Sequence, residues 1–284
     1  MSQQPIDTFQ GLLSRIPAFS SLSKEKLDWI AQRARPFHCN VGQELLTADR
    51  IPEFCFCIVE GRGRLLHNDP GLRRPITLAY ANVGDLVGWS GLVRRSPCEW
   101  VTAATPLKLI GIPAKDFYEL EKTSEGFRAW LDSTNSPSEL INTLEPALRS
   151  RPHAEPNERE VLKQLLPSMQ IVAAHQIRQI PEDGAKWLWS SQPNDLKVSI
   201  GKEVNNQVLC KIPDGQYLRL LRVESEAWHK IMDPPLDLIQ EDKLNNFDQS
   251  DPDDRYSDLL GAPQGELLNV DQSQDNNNQT YKGN

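Results

Sequence analysis

The spacing of apolar residues changes several times along this chain, and each change marks an expected element. Ser23 precedes Lys24-Glu25-Lys26-Leu27, and Leu27, Ile30 and Ala31 fall on one helical face, so a helix capped by Ser23 is predicted. Two runs that follow, Val41 to Leu46 and Phe54 to Leu65, are built of β-branched, aromatic or small apolar residues. Glycines stand where strands must turn, so both runs read as strands. Val101 to Pro113 reads as two further strands, and Ala114 to Leu120 opens a helix. A short helix is expected over Pro137 to Leu144, capped by Ser136 or Ser138, then a charged, proline-broken connector from Arg149 to Pro156. Glu158 to Leu166 is amphipathic and stopped by Pro167. Beyond it, strands are predicted at 171–174, 186–191, 196–200, 208–212 and 217–223, separated by Gly, Pro, Asn and Asp. Their spacing predicts a small β-sandwich or half-barrel, and the order of helix then strands leaves open a degenerate second copy of the first half. The fold class is mainly β with flanking helices (α+β).

Charge changes this picture at one end. From Asp233 to Asn284 there are twelve acidic and three basic side chains, a net of −9, so with a total of −8 the preceding body stands near +1. A nearly neutral body argues against nucleic acid as a partner, because phosphates demand a concentrated basic face. Arg73-Arg74, Arg94-Arg95 and Arg149 with Arg151 are local basic spots only. The tail is rich in Asp, Asn, Gln and Pro, which predicts disorder, with Leu259-Leu260 and Leu267-Leu268 as short apolar islands. At 284 residues and 38% hydrophobic content the chain can bury a sizeable core. No stretch reads as a membrane span or a signal peptide, so a cytoplasmic location is expected. The five cysteines are scattered without CxxC pairs, and Cys55 and Cys57 share one strand face as small buried hydrophobes. His38 and His67 are expected to be structural or solvated, and Trp100 a core residue.

Gly84-Asp85-Leu86-Val87-Gly88-Trp89-Ser90-Gly91-Leu92, with Ser96-Pro97-Cys98-Glu99 close behind, resembles the phosphate-binding cassette of cyclic nucleotide-binding domains. The resemblance runs from about Ile16 to Leu131. It takes in the apolar plug Ile16 to Ser23, the two glycine-bounded strand runs, the closing strands and the exit helix. It implies a jelly roll, followed by a smaller β-rich domain and the tail. The corresponding boundaries are a leader at 1–15, a cyclic nucleotide-binding-like domain at 16–131, a helical linker at 132–160, a small β-rich domain at 161–232 and an acidic disordered tail at 233–284. In that family a glutamate holds the ribose hydroxyl and an arginine neutralises the phosphate. Trp89 and the Ser96 to Glu99 segment occupy those places here. Charge-assisted hydrogen bonds contribute roughly 1.5 to 3 kcal/mol each, so losing both weakens binding about a hundredfold to ten-thousandfold. No cofactor is therefore expected, and cyclic nucleotide is disfavoured. The degenerate cassette consists of Gly88, Trp89, Ser90, Gly91, Leu92, Arg94, Arg95, Pro97 and Cys98. In it Trp89 is expected to plug the vacated pocket, Ser90-Gly91-Leu92 supplies backbone N–H groups, and Arg94 or Arg95 is the remaining candidate to meet an anion.

The longer pattern, with Trp187-Leu188-Trp189-Ser190-Ser191 and Arg219-Leu220-Leu221 near its end, is similar to the N-terminal region of cyanobacterial peptidase-containing ABC exporters, which resemble type I secretion ATPases. Their ATPase, membrane and peptidase parts have no counterpart here, and there is no GxxxxGK[ST] loop. Gly88-Trp89-Ser90-Gly91-Leu92 does not match the G-x-S-x-G nucleophile elbow either, so no catalytic residue is expected. These resemblances imply a non-catalytic regulatory or interaction protein. Its expected partner is another protein, an ABC exporter being the first candidate, through which it would sit peripheral to a membrane. The alternative is a sensor of cyclic nucleotide or another small anion. A second alternative is a catabolite-activator-type transcription regulator, but the sequence after Leu131 is proline-broken and then β-rich, without an obvious DNA-reading half.

Overall fold

The structure, a computed structural model, describes residues 6–68, 75–150, 158–192, 198–212 and 216–232, all within the unit Met1–Gln249. The tail with its leucine pairs, most of the 149–156 connector, and Arg73, Arg74 and Arg151 lie outside the described residues.

Helix α1 (Ile6–Leu13) leads through a 3-10 turn at Pro17–Phe19 into α2 (Lys24–Ala31). Ser23 caps α2 as its residue type predicts, its side chain accepting from the Lys26 N–H, and Ala18 and Phe19 are the buried plug. Eight strands follow: β1 (Arg35–Cys39), β2 (Glu44–Leu46), β3 (Phe54–Glu60), β4 (Gly63–Asn68), β5 (Pro75–Ala81), β6 (Leu86–Val87), β7 (Trp100–Ala103) and β8 (Leu107–Pro113). Helix α3 (Trp89–Arg94) is set between β6 and β7. The strands form two antiparallel four-stranded sheets in the orders β1-β8-β3-β6 and β2-β7-β4-β5, which is a jelly roll. The roll begins at Arg35, ahead of the first predicted strand, and includes β5, which the sequence reading did not single out.

Strand β3 shows why its sequence is apolar throughout rather than alternating. Phe56 and Ile58 face the other sheet with Leu65, Leu78 and Val101, whereas Cys55 and Cys57 face a second cluster made with Leu13, Phe19, Ile30, Phe117 and Phe127 of the helices. One sheet is thus covered on both faces, and both faces of β3 need apolar side chains. The turn between β3 and β4 rests on Gly61, at φ +86°, where a Cβ would come within 2.1 Å of the Pro106 carbonyl oxygen. Burial raises the Cys55 and Cys57 thiols above their ordinary value, Cys57 to about 12. Cys39 and Cys98 are buried as well, and Cys210 is exposed.

Helices α4 (Ala114–Thr123) and α5 (Glu125–Ser133) close the roll. Helix α6 (Pro137–Arg149) is capped by Ser136 and continues past the expected Leu144, through Pro146. Then come α7 (Glu158–Leu165), β9 (Met169–Ala173), β10 (Lys186–Trp189), α8 (Asn206–Leu209), β11 (Arg219–Val223) and α9 (Ser225–Met232). Among the described residues the smaller β-rich part is one antiparallel sheet in the order β10-β11-β9, not a sandwich or half-barrel. Two expected strands are absent among the described residues. Val198 to Ile200 is irregular, with the rest of that run outside the described residues, and the 208–212 run starts as helix α8 because the Asn205 side chain accepts from the Val208 N–H at 2.8 Å. One face of the sheet, with Ile171, Leu188, Leu221 and Val223, joins the inter-sheet cluster through Leu140, Ile141 and Leu144 of α6. Its other face packs Trp187, Trp189 and Leu220 on Val204 and Leu209.

Candidate functional site: the cassette helix and its seam

Gly88 opens α3 in the left-handed region, at φ +85°, where a Cβ would meet the Phe54 carbonyl oxygen at 2.8 Å. The helix lasts one and a half turns and ends at Arg95, also left-handed at φ 58°. All six of its residues are buried, so the run that resembles a cassette is a short interior helix.

Trp89 is 4% exposed, edge-on to Trp130 at 5.2 Å between ring centroids. The Arg219 guanidinium lies 5.3 Å from the Trp89 ring centroid. Leu92 and Val93 belong to the helix-covered cluster, and the Ser90 hydroxyl meets the Cys98 thiol at 3.0 Å. Pro97 is half-buried beside them. Trp100, expected in the core, is half-buried instead and donates its indole N–H to the Glu44 carboxylate at 2.8 Å. His67 meets the Glu145 carboxylate at 2.8 Å, and His38 is exposed.

The two cassette arginines have separate neighbourhoods. Arg94 is fully buried, donating from Nε to the Ser190 carbonyl at 2.7 Å and from Nη2 to the Asn142 side-chain oxygen at 2.8 Å. It therefore reaches out of the roll to α6 and the end of β10. Arg95 stays at the surface, 3.5 Å from the Glu121 carboxylate and 3.9 Å from the centroid of Tyr118.

Glu99 is a cassette residue that sequence reasoning did not single out as a site. It is buried, and burial pushes its carboxyl up to about 7; the Ser90 hydroxyl and the Gly91 and Gly88 N–H groups act in the opposite sense, and Glu139 raises it further. Its Oε2 has no hydrogen-bond partner among the described residues. Burial likewise raises the Cys98 thiol to about 11, against the lowering influence of Arg94.

Behind α3 a buried polar seam continues to the three-stranded sheet. Arg219 and Glu139 are both fully buried and pair through two hydrogen bonds of 2.9 Å. Arg219 also donates to the carbonyls of Leu131 at 2.6 Å and Thr134 at 2.8 Å, and Ser190 donates to Glu139 at 2.7 Å. Thr143 lies 3.2 Å from the Ser190 hydroxyl. The sequence does carry a sign of this network: Arg219 interrupts the apolar Leu218 to Leu221 run, and Glu139 and Thr143 stand one turn apart on the buried face of α6. Their pairing across 80 positions was not legible. Among the described residues there is no group of three metal-ligating side chains.

No protein-family model and no curated protein matches this chain. Solved structures do. A cyclic nucleotide-binding-like protein from Brucella abortus is 22% identical over 40% of this chain and 97% of its own, with a TM-score of 0.35. The regulatory domain of Toxoplasma gondii PKA, co-crystallised with cAMP, is 12% identical over 86% of this chain and 98% of its own, with a TM-score of 0.41. The sensor domain of the transcriptional regulator DNR from Pseudomonas aeruginosa is 13% identical over 52% and 96%, also with a TM-score of 0.41. Likeness at this level carries no inference about function.

Proposed function

We propose that this chain is a non-catalytic regulatory or interaction module in which the cyclic nucleotide cassette has become a structural hub. The observation that carries this reading is Trp89, buried between Trp130 and Arg219 at the cassette position where the family holds a carboxylate. The buried environments of Arg94 and Glu99 support it. The first holds the cassette to the C-terminal sheet, and the second sets a buried acid on the N–H groups of the cassette turn, so that those donors are already engaged. Its output is then contact with a protein partner, and an ABC exporter is the first to test. No helix among the described residues is long and apolar enough to cross a membrane, so such an association would run through the partner.

Calorimetric titration of the full chain with cyclic AMP and cyclic GMP tests the closed cassette. No heat of binding is expected at micromolar concentrations, and a micromolar dissociation constant for either would overturn the reading in favour of a sensor.

A further inference from the structure

At the C-terminal end of the cassette helix, a cleft of about 340 Å³ is bounded by the end of α3, by α4, and by the residues around Ser191 and Tyr217 that flank β10 and β11. Four cationic side chains line it, Arg94, Arg95, Lys115 and Lys122, against two carboxylates, Glu119 and Glu121. The lining thus holds an excess of two positive charges. Arg95 is already engaged with Glu121 and Tyr118, whereas Lys115 and Lys122 are exposed and make no ion pair with any described residue. Two buried atoms of lining residues have unmet hydrogen-bonding capacity among the described residues: Arg94 Nη1, a donor on a side chain with no exposure, and Gln216 Oε1, an acceptor. Buried polar groups are ordinarily satisfied, so these two atoms leave unused polar capacity in the cleft wall, screened from solvent as the wall stands.

We propose that this cleft binds a small dianion, namely a phosphate monoester carried on a polar body the size of a sugar or nucleoside. A phosphate monoester carries about −1.5 to −2 charges at neutral pH, which matches the lining. Inorganic phosphate alone would leave most of the cleft empty, since clefts of about 300 Å³ and more accommodate organic ligands. The Tyr118 hydroxyl and the amides of Gln192 and Gln216 supply partners for a hydroxyl-rich body, while the Tyr217 hydroxyl already donates to Asp132 at 2.6 Å. A ligand there bridges α3 and α4 to the C-terminal sheet, and Arg94 belongs both to the cleft wall and to the cassette helix.

The full chain is titrated by calorimetry at low salt with AMP, glucose 6-phosphate, inorganic phosphate and succinate. AMP or glucose 6-phosphate is expected to bind at least tenfold more tightly than inorganic phosphate or succinate. The K115E/K122E variant should weaken that binding at least tenfold, while K108E, at an exposed position that does not line the cleft, leaves it within twofold. K115Q/K122Q repeats the test without charge reversal, and thermal melts confirm that each variant is folded. Absence of binding by both organic phosphates at millimolar concentration, preference for succinate, or affinity unchanged in the lysine variants would each overturn the proposal. Cyclic AMP run in the same series separates the two readings: binding indifferent to Lys115 and Lys122 counts against the closed cassette and leaves the cleft to be judged on the monoesters.

Discussion

The interior of the roll and the seam behind its cassette helix are equally buried but are built from different materials. Among the described residues no buried polar or charged side chain belongs to β1 through β8, where Ile58, Leu65, Val101 and Leu109 fill the space between the sheets. At the seam Arg94, Glu139, Thr143, Ser190 and Arg219 are all buried, and most of their polar atoms are bonded to one another or to carbonyls. Apolar contact tolerates small sliding because it has no direction, whereas a two-point guanidinium–carboxylate pair fixes distance and orientation together. The roll is thus held by area, and the placement of the three-stranded sheet against α3 is held by geometry.

The sharpest way to break this contrast is Glu139→Ala. It strands the Arg219 charge in a water-free site, and a loss of about 3–5 kcal/mol in urea unfolding is expected. The apolar double variant E139L/R219M should recover most of that loss, and a single variant costing under about 1 kcal/mol would show that the seam is not held by charge. Next in size is the pH dependence set by Glu99. Its carboxyl is raised from the ordinary 4.5 to about 7, so the folded state retains a proton that the unfolded chain releases. Stability from this group is complete below about pH 4.5, declines as pH rises to about 7 and is lost above it, by up to about 3 kcal/mol. Glu99→Gln should remove that decline, so the variant gains on the parent as pH rises; parallel stability curves from pH 4.5 to 8 would contradict the assignment. Within the roll the expected effects are smaller. Ile58→Val removes one buried methylene and should cost about 1 kcal/mol throughout pH 4.5 to 8, because Cys39, a titratable member of the same cluster, is kept protonated over that range by burial. Smallest is Lys108→Ala, which breaks a 2.8 Å pair with Glu60 between two exposed side chains and should shift stability by less than about 1 kcal/mol.

What could be read in advance divides along the same line. The Ser23 cap, the turn glycines, the shared face of Cys55 and Cys57 and the cassette helix were legible because each depends on residues within a few positions. Val208, Leu209 and Ile212 suit a strand or a helix equally, and Asn205, a local cap, decided the matter for helix. The seam was not legible because its partners are brought together only by the fold: Arg94 meets Ser190 across 96 positions and Arg219 meets Glu139 across 80. Glu99 was passed over because a lone acid ahead of a strand ordinarily remains in water, and nothing local announces its burial.

The distribution of thiols has a practical outcome. Four cysteines are enclosed, with Cys39, Cys55, Cys57 and Cys98 all shifted toward the unreactive protonated form, while Cys210 after α8 meets solvent. A maleimide dye added to the native chain therefore attaches at a single place beside the three-stranded sheet, with no engineered residue. The enclosed four then serve as a clock, each becoming modifiable only when its own part of the molecule opens.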